Sequence, residues 1–87
     1  MLAMLDETIA RLQAELEGSG ITPEKKEELL RLLSTVRAEA TRSTPRREVL
    51  ELSLTGLRRS VREFEQTHPR LVEAVGSLAT SLSNLGL

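Results

Sequence analysis

From its first residues onward, the chain's apolar positions recur at steps of three and four. In MLAMLDETIARLQAELE, Leu2, Leu5, Ile9, Leu12 and Leu16 share one stripe of a helix, because side chains at these spacings lie one above another on its surface. Glu7 and Arg11, four apart, are placed to pair on the outside. Gly18, Ser19 and Gly20 then stop the helix, and with Gly20 in the left-handed cap conformation Ile21 folds back toward Leu16. Thr22 reads as an N-cap and Pro23 as a first helical residue, with Glu24, Glu27 and Glu28 near the positive end of the helix dipole. The second stripe is Leu29, Leu33, Val36 and Ala40, broadened by Leu30 and Leu32, and Arg37 and Arg42 lie near its negative end. A helical hairpin over about 2–42 is the predicted product.

Ser43, Thr44 and Pro45 repeat the cap-then-proline signal and predict a third helix starting at Pro45 or Arg46. The apolar register nevertheless runs on. Steps of three and four lead through Leu50, Leu54, Leu57, Val61, Phe64 and His68 to Leu71, Val75, Leu78, Leu82 and Leu85 without a slip. Two readings therefore stand: one long helix bent at its prolines, or two helices over about 45–67 and 69–85. A proline inside a helix costs about 3 kcal/mol, so Pro69 marks a bend or a short break. Gly86 suits a terminal left-handed cap, with Leu87 reaching back to Leu82. A heptad sustained for this length suggests a coiled-coil seam more than a compact bundle. The predicted fold is all-α, a single small helical domain with coiled-coil or bundle-like packing completed by oligomerisation.

Composition sharpens this picture in three ways. At 87 residues the chain is one domain whose own core is marginal, and with Phe64 as the sole aromatic, leucine does most of the packing. The absence of cysteine rules out disulfides and thiolate zinc sites, and makes the cytoplasm the expected compartment. Acidic residues occupy the N-terminal positions where a secretory signal carries basic ones, and no apolar run has the length of a membrane span, so an unprocessed, soluble protein is expected.

The segment FEQTHPRLVEAVGSLATSLSNLGL is similar to the closing segment of a family of short bacterial helical proteins of the domain-of-unknown-function kind. The family's ends read Phe-Glu, His-Pro, a leucine and a final Leu-x-Asn-x-Gly-Ile; the matching positions are Phe64, Glu65, His68, Pro69, Leu71, Leu82, Asn84 and Gly86, with Leu87 in place of isoleucine. LDETIARLQAELE and ITPEKKEELLRLL also resemble that family, so the likeness covers nearly the whole chain. It implies a small helical bacterial protein and supplies no activity, substrate or functional residue.

Candidate chemistry is sparse. His68, the single histidine, precedes a proline at a helix bend, where its ring can cap freed backbone groups; that structural role outweighs one as switch or ligand. Glu65 and His68 have the Glu-x-x-His spacing of a carboxylate-bridged metal site, but only a dimer would double it and the further Glu ligands have no inward position. Serines and threonines have no recognisable base beside them, and no phosphate-binding glycine loop occurs. No catalytic, cofactor-binding or metal-binding residue is assigned, and no cofactor.

Charge and the tail carry the remaining readings. Residues 1–40 hold eight acidic and five basic groups, whereas 41–72 hold four acidic and seven basic. Arg58, Arg59 and Arg62 form a candidate basic patch on the third helix, with Arg42, Arg46 and Arg47 near its start. No aromatic stacking residue accompanies them, so pairing with Glu51, Glu63, Glu65 or a neighbour's acidic hairpin is favoured over nucleic acid. After Glu73 the chain has no charged side chain. Leu71, Val75, Leu78, Leu82 and Leu85 form a candidate oligomer seam, and without lysine or arginine on its polar face the tail is a poor membrane binder. The sequence thus predicts a non-enzymatic, self-associating scaffold or interaction module, with a weak nucleic-acid or acidic-partner adaptor as the alternative.

Overall fold

Each stop signal in the sequence becomes a reversal of the chain. In the computed structural model, which describes residues 2–84, four helices run up and down in turn: α1 (Leu2–Gly18), α2 (Pro23–Ala40), α3 (Arg47–Val61) and α4 (Pro69–Asn84). A 3-10 turn, Arg62–Phe64, follows α3. Among the described residues there is no strand. Gly86 and Leu87, the predicted terminal cap, and Leu85 of the predicted seam lie outside them.

The first turn forms as its residues dictate. Gly20 has φ of 75°, a left-handed conformation that glycine adopts without a Cβ clash, and Ile21 turns into the core alongside Leu16. The Thr22 hydroxyl accepts the Lys25 N–H at 3.3 Å, with Pro23 at the first helical position. Glu7 and Arg11 do not close into an ion pair; instead Asp6 of α1 meets Arg37 of α2 at 3.6 Å.

The second turn departs from the sequence reading. Neither Ser43 nor Thr44 caps α3, which starts at Arg47, with Arg46 as its N-cap and no side chain of its own segment satisfying the cap. The missing acceptor comes from α2: the Glu39 carboxylate accepts the Arg46 N–H at 2.8 Å and the Arg46 guanidinium at 2.8 Å. Because this partner lies seven residues upstream, the chain must fold back before α3 can begin. A helix running on through Pro45 is excluded by the same contact. At Pro69 the helix breaks: α3 tightens into the 3-10 turn, and α4 starts afresh at the proline.

Helix pairing differs from a simple hairpin with an added arm. α2 packs most extensively on α3, and α1 on α4, with the contacts between α1 and α2 and between α3 and α4 much lighter. Leu5, Leu12 and Leu16 of α1 meet Leu71, Val75 and Leu78 of α4 in one core with Leu29, Leu33, Val36, Leu57 and Val61. The described part of the tail stripe is therefore covered inside the chain. Leu71, Val75, Leu78 and Leu82, which the sequence marks as a candidate oligomer seam, retain at most 5% of their surface, because α1 packs lengthwise against α4. The radius of gyration, 12.2 Å, equals the roughly 12 Å expected of a self-contained globule of this length. That is a bundle's compactness, and the long coiled-coil seam suggested by the heptad does not form within the chain.

Polar groups inside the bundle are paired. The Thr8 hydroxyl lies 2.9 Å from the Met4 carbonyl and 3.1 Å from the Ser81 hydroxyl, tying α1 to α4 in register. Among the described residues no fully buried side-chain nitrogen or oxygen lacks a partner.

Candidate interaction surface

His68 performs a cap, though on a different element from its own. Its Nε2 lies 2.7 Å from the Ser19 carbonyl, which can only accept, so Nε2 carries the proton. Nδ1 lies 2.9 Å from the Thr67 hydroxyl, and the ring stands edge-on to Phe64 with centroids 5.4 Å apart. Two consequences follow from the same geometry: the α1–α2 turn is pinned to the α3–α4 break, and both ring nitrogens are engaged in hydrogen bonds. A cavity of about 250 Å³ beside this corner is lined by Glu15, Gly18, Ser19, Thr67, His68 and Arg70 among others. No group of three or more potential metal ligands converges among the described residues, and Glu65 and His68 do not assemble one.

The most perturbed ionisable group is Glu39, which the sequence reading left aside. Only 4% exposed, it is gripped by Arg46 and by Arg42, whose Nε lies 3.1 Å away. The Arg46 hydrogen bond holds its pKa down at about 2, against the upward pull of burial, and the two arginine charges add to the lowering. Arg46 is correspondingly raised. The signal was present: Glu39 stands between Val36 and Ala40 on the apolar side of α2, a position where an acid needs a partner.

This clamp sorts the basic residues. Arg42 and Arg46 are committed to Glu39, and Arg47 pairs with Glu51 along the helix at 3.4 Å. Glu63 turns to Lys25 at 3.8 Å and not to an arginine. Arg58, Arg59 and Arg62 remain exposed with no ion pair among the described residues. The predicted patch thus divides: Arg58 and Arg62 overlook the crevice between α3 and α4, whereas Arg59 is not among its lining residues.

That crevice exists because α3 and α4 pack lightly. It opens into a cavity of about 150 Å³ lined by Leu50, Leu54, Ala79 and Leu82, and one of about 280 Å³ lined by Val61, Val72, Val75 and Gly76. One rim bears Arg47, Arg58 and Arg62 with Glu51 and Glu65 among them, a net positive charge; the other carries Gly76 and Ser83 and no charge. A Cβ added at Gly76 would meet nothing within 4 Å, so the uncharged rim is open to a close approach. Periodicity alone did not reveal this groove, because Val72, Gly76, Ala79 and Ser83 fall beside the main stripe of α4. Leu52, 74% exposed, is a further apolar side chain off the stripe of α3.

The fold and these surfaces define a small up-and-down four-helix bundle with polar clamps at its turns and an apolar groove between α3 and α4 that has one arginine-rich rim. Residues 5–87 match the model of a family described as Domain of unknown function (DUF4404), and the chain belongs to that family. Neither the curated proteins nor the solved structures contain a match. None of the described helices is long and apolar enough to cross a membrane.

Proposed function

We propose that this chain is a non-enzymatic helical interaction module that associates with copies of itself, with the α3–α4 groove as its contact surface. The supporting observation is the groove itself: an apolar floor, an open uncharged rim and an opposite rim where Arg58 and Arg62 have no ion-pair partner among the described residues. Apolar surface of this kind gains free energy when covered, at roughly 25 cal/mol per Å², while unpaired rim charges select a partner of opposite sign. A cysteine-free chain is suited to a reducing compartment, and we place it in the cytoplasm. Sedimentation velocity from about 1 to about 100 µM tests self-association directly, because mass action must raise the mean mass across that range; a constant monomer mass refutes it.

A second reading is favoured by the same unpaired arginines. Arg58 and Arg59 on α3 and Arg62 just beyond it present three exposed cations, which suits a weak nucleic-acid or acidic-partner adaptor. Submicromolar binding to generic DNA or RNA that survives physiological salt and is lost when all three become alanine would put this reading first.

A further inference from the structure

We infer that the occupant of the α3–α4 groove is helix α1 of a second copy, docked by its acidic outer face, so that copies join head to tail. The inference rests on the self-association just proposed and adds which surfaces meet. Three properties of α1 match the groove. In sign, α1 carries Asp6, Glu7, Glu15 and Glu17 against Arg11 alone, while the groove is lined by Arg47, Arg58 and Arg62 against Glu51 and Glu65. In shape, Ala10 and Ala14 stand on one line between Glu7 and Glu17 on the exposed surface of α1, flanked by Arg11 and Gln13, and the line ends at Gly18, so its small residues can approach the open rim at Gly76. In length, α1 has 17 residues and α3 has 15, helices of about 25 and 22 Å, so one can lie along the other.

The charges also match in pitch. Glu7 and Glu17 are ten residues apart, about 15 Å along the axis, and Arg47 and Arg58 are eleven apart, about 16 Å. Arg47 is held only by the exposed pair with Glu51, which is easily exchanged. Two grooves facing each other across a two-fold axis would set the arginine rim against another arginine rim or against the uncharged rim, and neither is net acidic. Within one chain α1 packs on α4 and α2 with its outer face turned to solvent, so a copy cannot fill its own groove. Joining groove to helix is therefore heterologous and continues into chains or closes into rings.

Reciprocal charge reversal tests this. One variant carries R58E and R62E, the other E7K and E17K; all four positions are exposed on helix surfaces, and circular dichroism verifies that each variant stays folded. In about 50 mM salt, where screening is weak, the wild type is expected to gain mass with concentration in sedimentation velocity. Each variant alone should weaken association by roughly tenfold or more. Their equimolar mixture should restore it, because each groove then meets an α1 of opposite charge. If both variants associate like the wild type, copies meet through another surface: the self-association reading stands and the groove assignment falls. If R58E/R62E abolishes association while E7K/E17K leaves it intact, the occupant is not α1. A wild type that stays monomeric throughout overturns both.

Discussion

Replacing Leu78 by alanine separates burial inside the chain from burial between chains. Leu78 is fully buried and sits in the middle of α4, where α1 packs lengthwise against it. Truncation removes three carbons and leaves a cavity that rigid neighbours on two helices close only in part. Buried leucine-to-alanine changes cost about 2.7–5 kcal/mol, and for a domain of this size each kcal/mol lowers the melting temperature by roughly 4–8 °C. A change of about 3 kcal/mol therefore lowers it by roughly 12–24 °C, a large part of a total stability expected near 4–13 kcal/mol. Thermal melts followed by circular dichroism in about 0.5 M NaCl, where the screening length is near 4 Å, suppress charge-held association. Under these conditions the fall should be the same at every protein concentration. A shift below about 5 °C would show that Leu78 is not in a packed core. A wild-type midpoint that climbs with concentration, and stops climbing in the variant, would show that the stripe is a seam between chains.

Three further outcomes follow from individual contacts. Glu39 titrates at about 2 in the folded chain and at its ordinary 4.5 when unfolded, so its stabilising effect is complete above pH 4.5 and is lost as pH falls from there toward 2; denaturant melts of Glu39→Gln should be weaker at neutral pH and lack that part of the acid slope, and parallel acid limbs would refute the clamp. Gly20→Ala forces a Cβ into the left-handed region and should cost about 1–2 kcal/mol in urea unfolding, although nothing else lies near that position. His68→Ala removes the bond to the Ser19 carbonyl and the edge contact with Phe64, and should cost about 1–2 kcal/mol; amide exchange should quicken at the α1–α2 turn, and an unchanged turn would show that the histidine does not hold it.

Helix positions and most of the core were legible in the chain because each obeys a local rule. Steps of three and four located the buried faces, Gly20 and Thr22-Pro23 located the first reversal, and Pro69 located the last. The failures share a physical cause, which is that the deciding group is distant in sequence or off the stripe. Ser43 and Thr44 are good caps by type, yet Glu39 supplies the acceptor from the preceding helix, and α3 starts later than its sequence announces. An unbroken heptad register says which face of α4 is apolar without saying what covers it, and the answer, α1, lies more than fifty residues away. The Arg58, Arg59 and Arg62 patch was visible as charge, while the groove that divides it depends on how lightly two helices pack.

The uneven packing of the four helices carries a consequence for assembly. Two tight pairs, α2 with α3 and α1 with α4, make a bundle whose two remaining contacts are lighter, and those two are not equivalent. Between α1 and α2 the Asp6–Arg37 pair bridges the helices at the surface. Between α3 and α4 no bridge is possible past Glu73, because α4 offers no charge there, and the arginines of α3 are left facing an uncharged rim. Removing charge from α4 lets its apolar stripe lie against α1 without desolvating an ion. The same change leaves the other side of α4 unable to neutralise its neighbour. The uncharged tail that packs against α1 thus also leaves the arginines across the groove without an acid from α4 beyond Glu73. A charge placed at Ser83, as in Ser83→Glu, would offer Arg47 a partner from within the chain. It should leave melting within about 0.5 kcal/mol of the wild type, as exposed substitutions do, and weaken self-association measured by sedimentation. If association is unchanged while the fold is intact, the cationic rim is not what the second copy recognises.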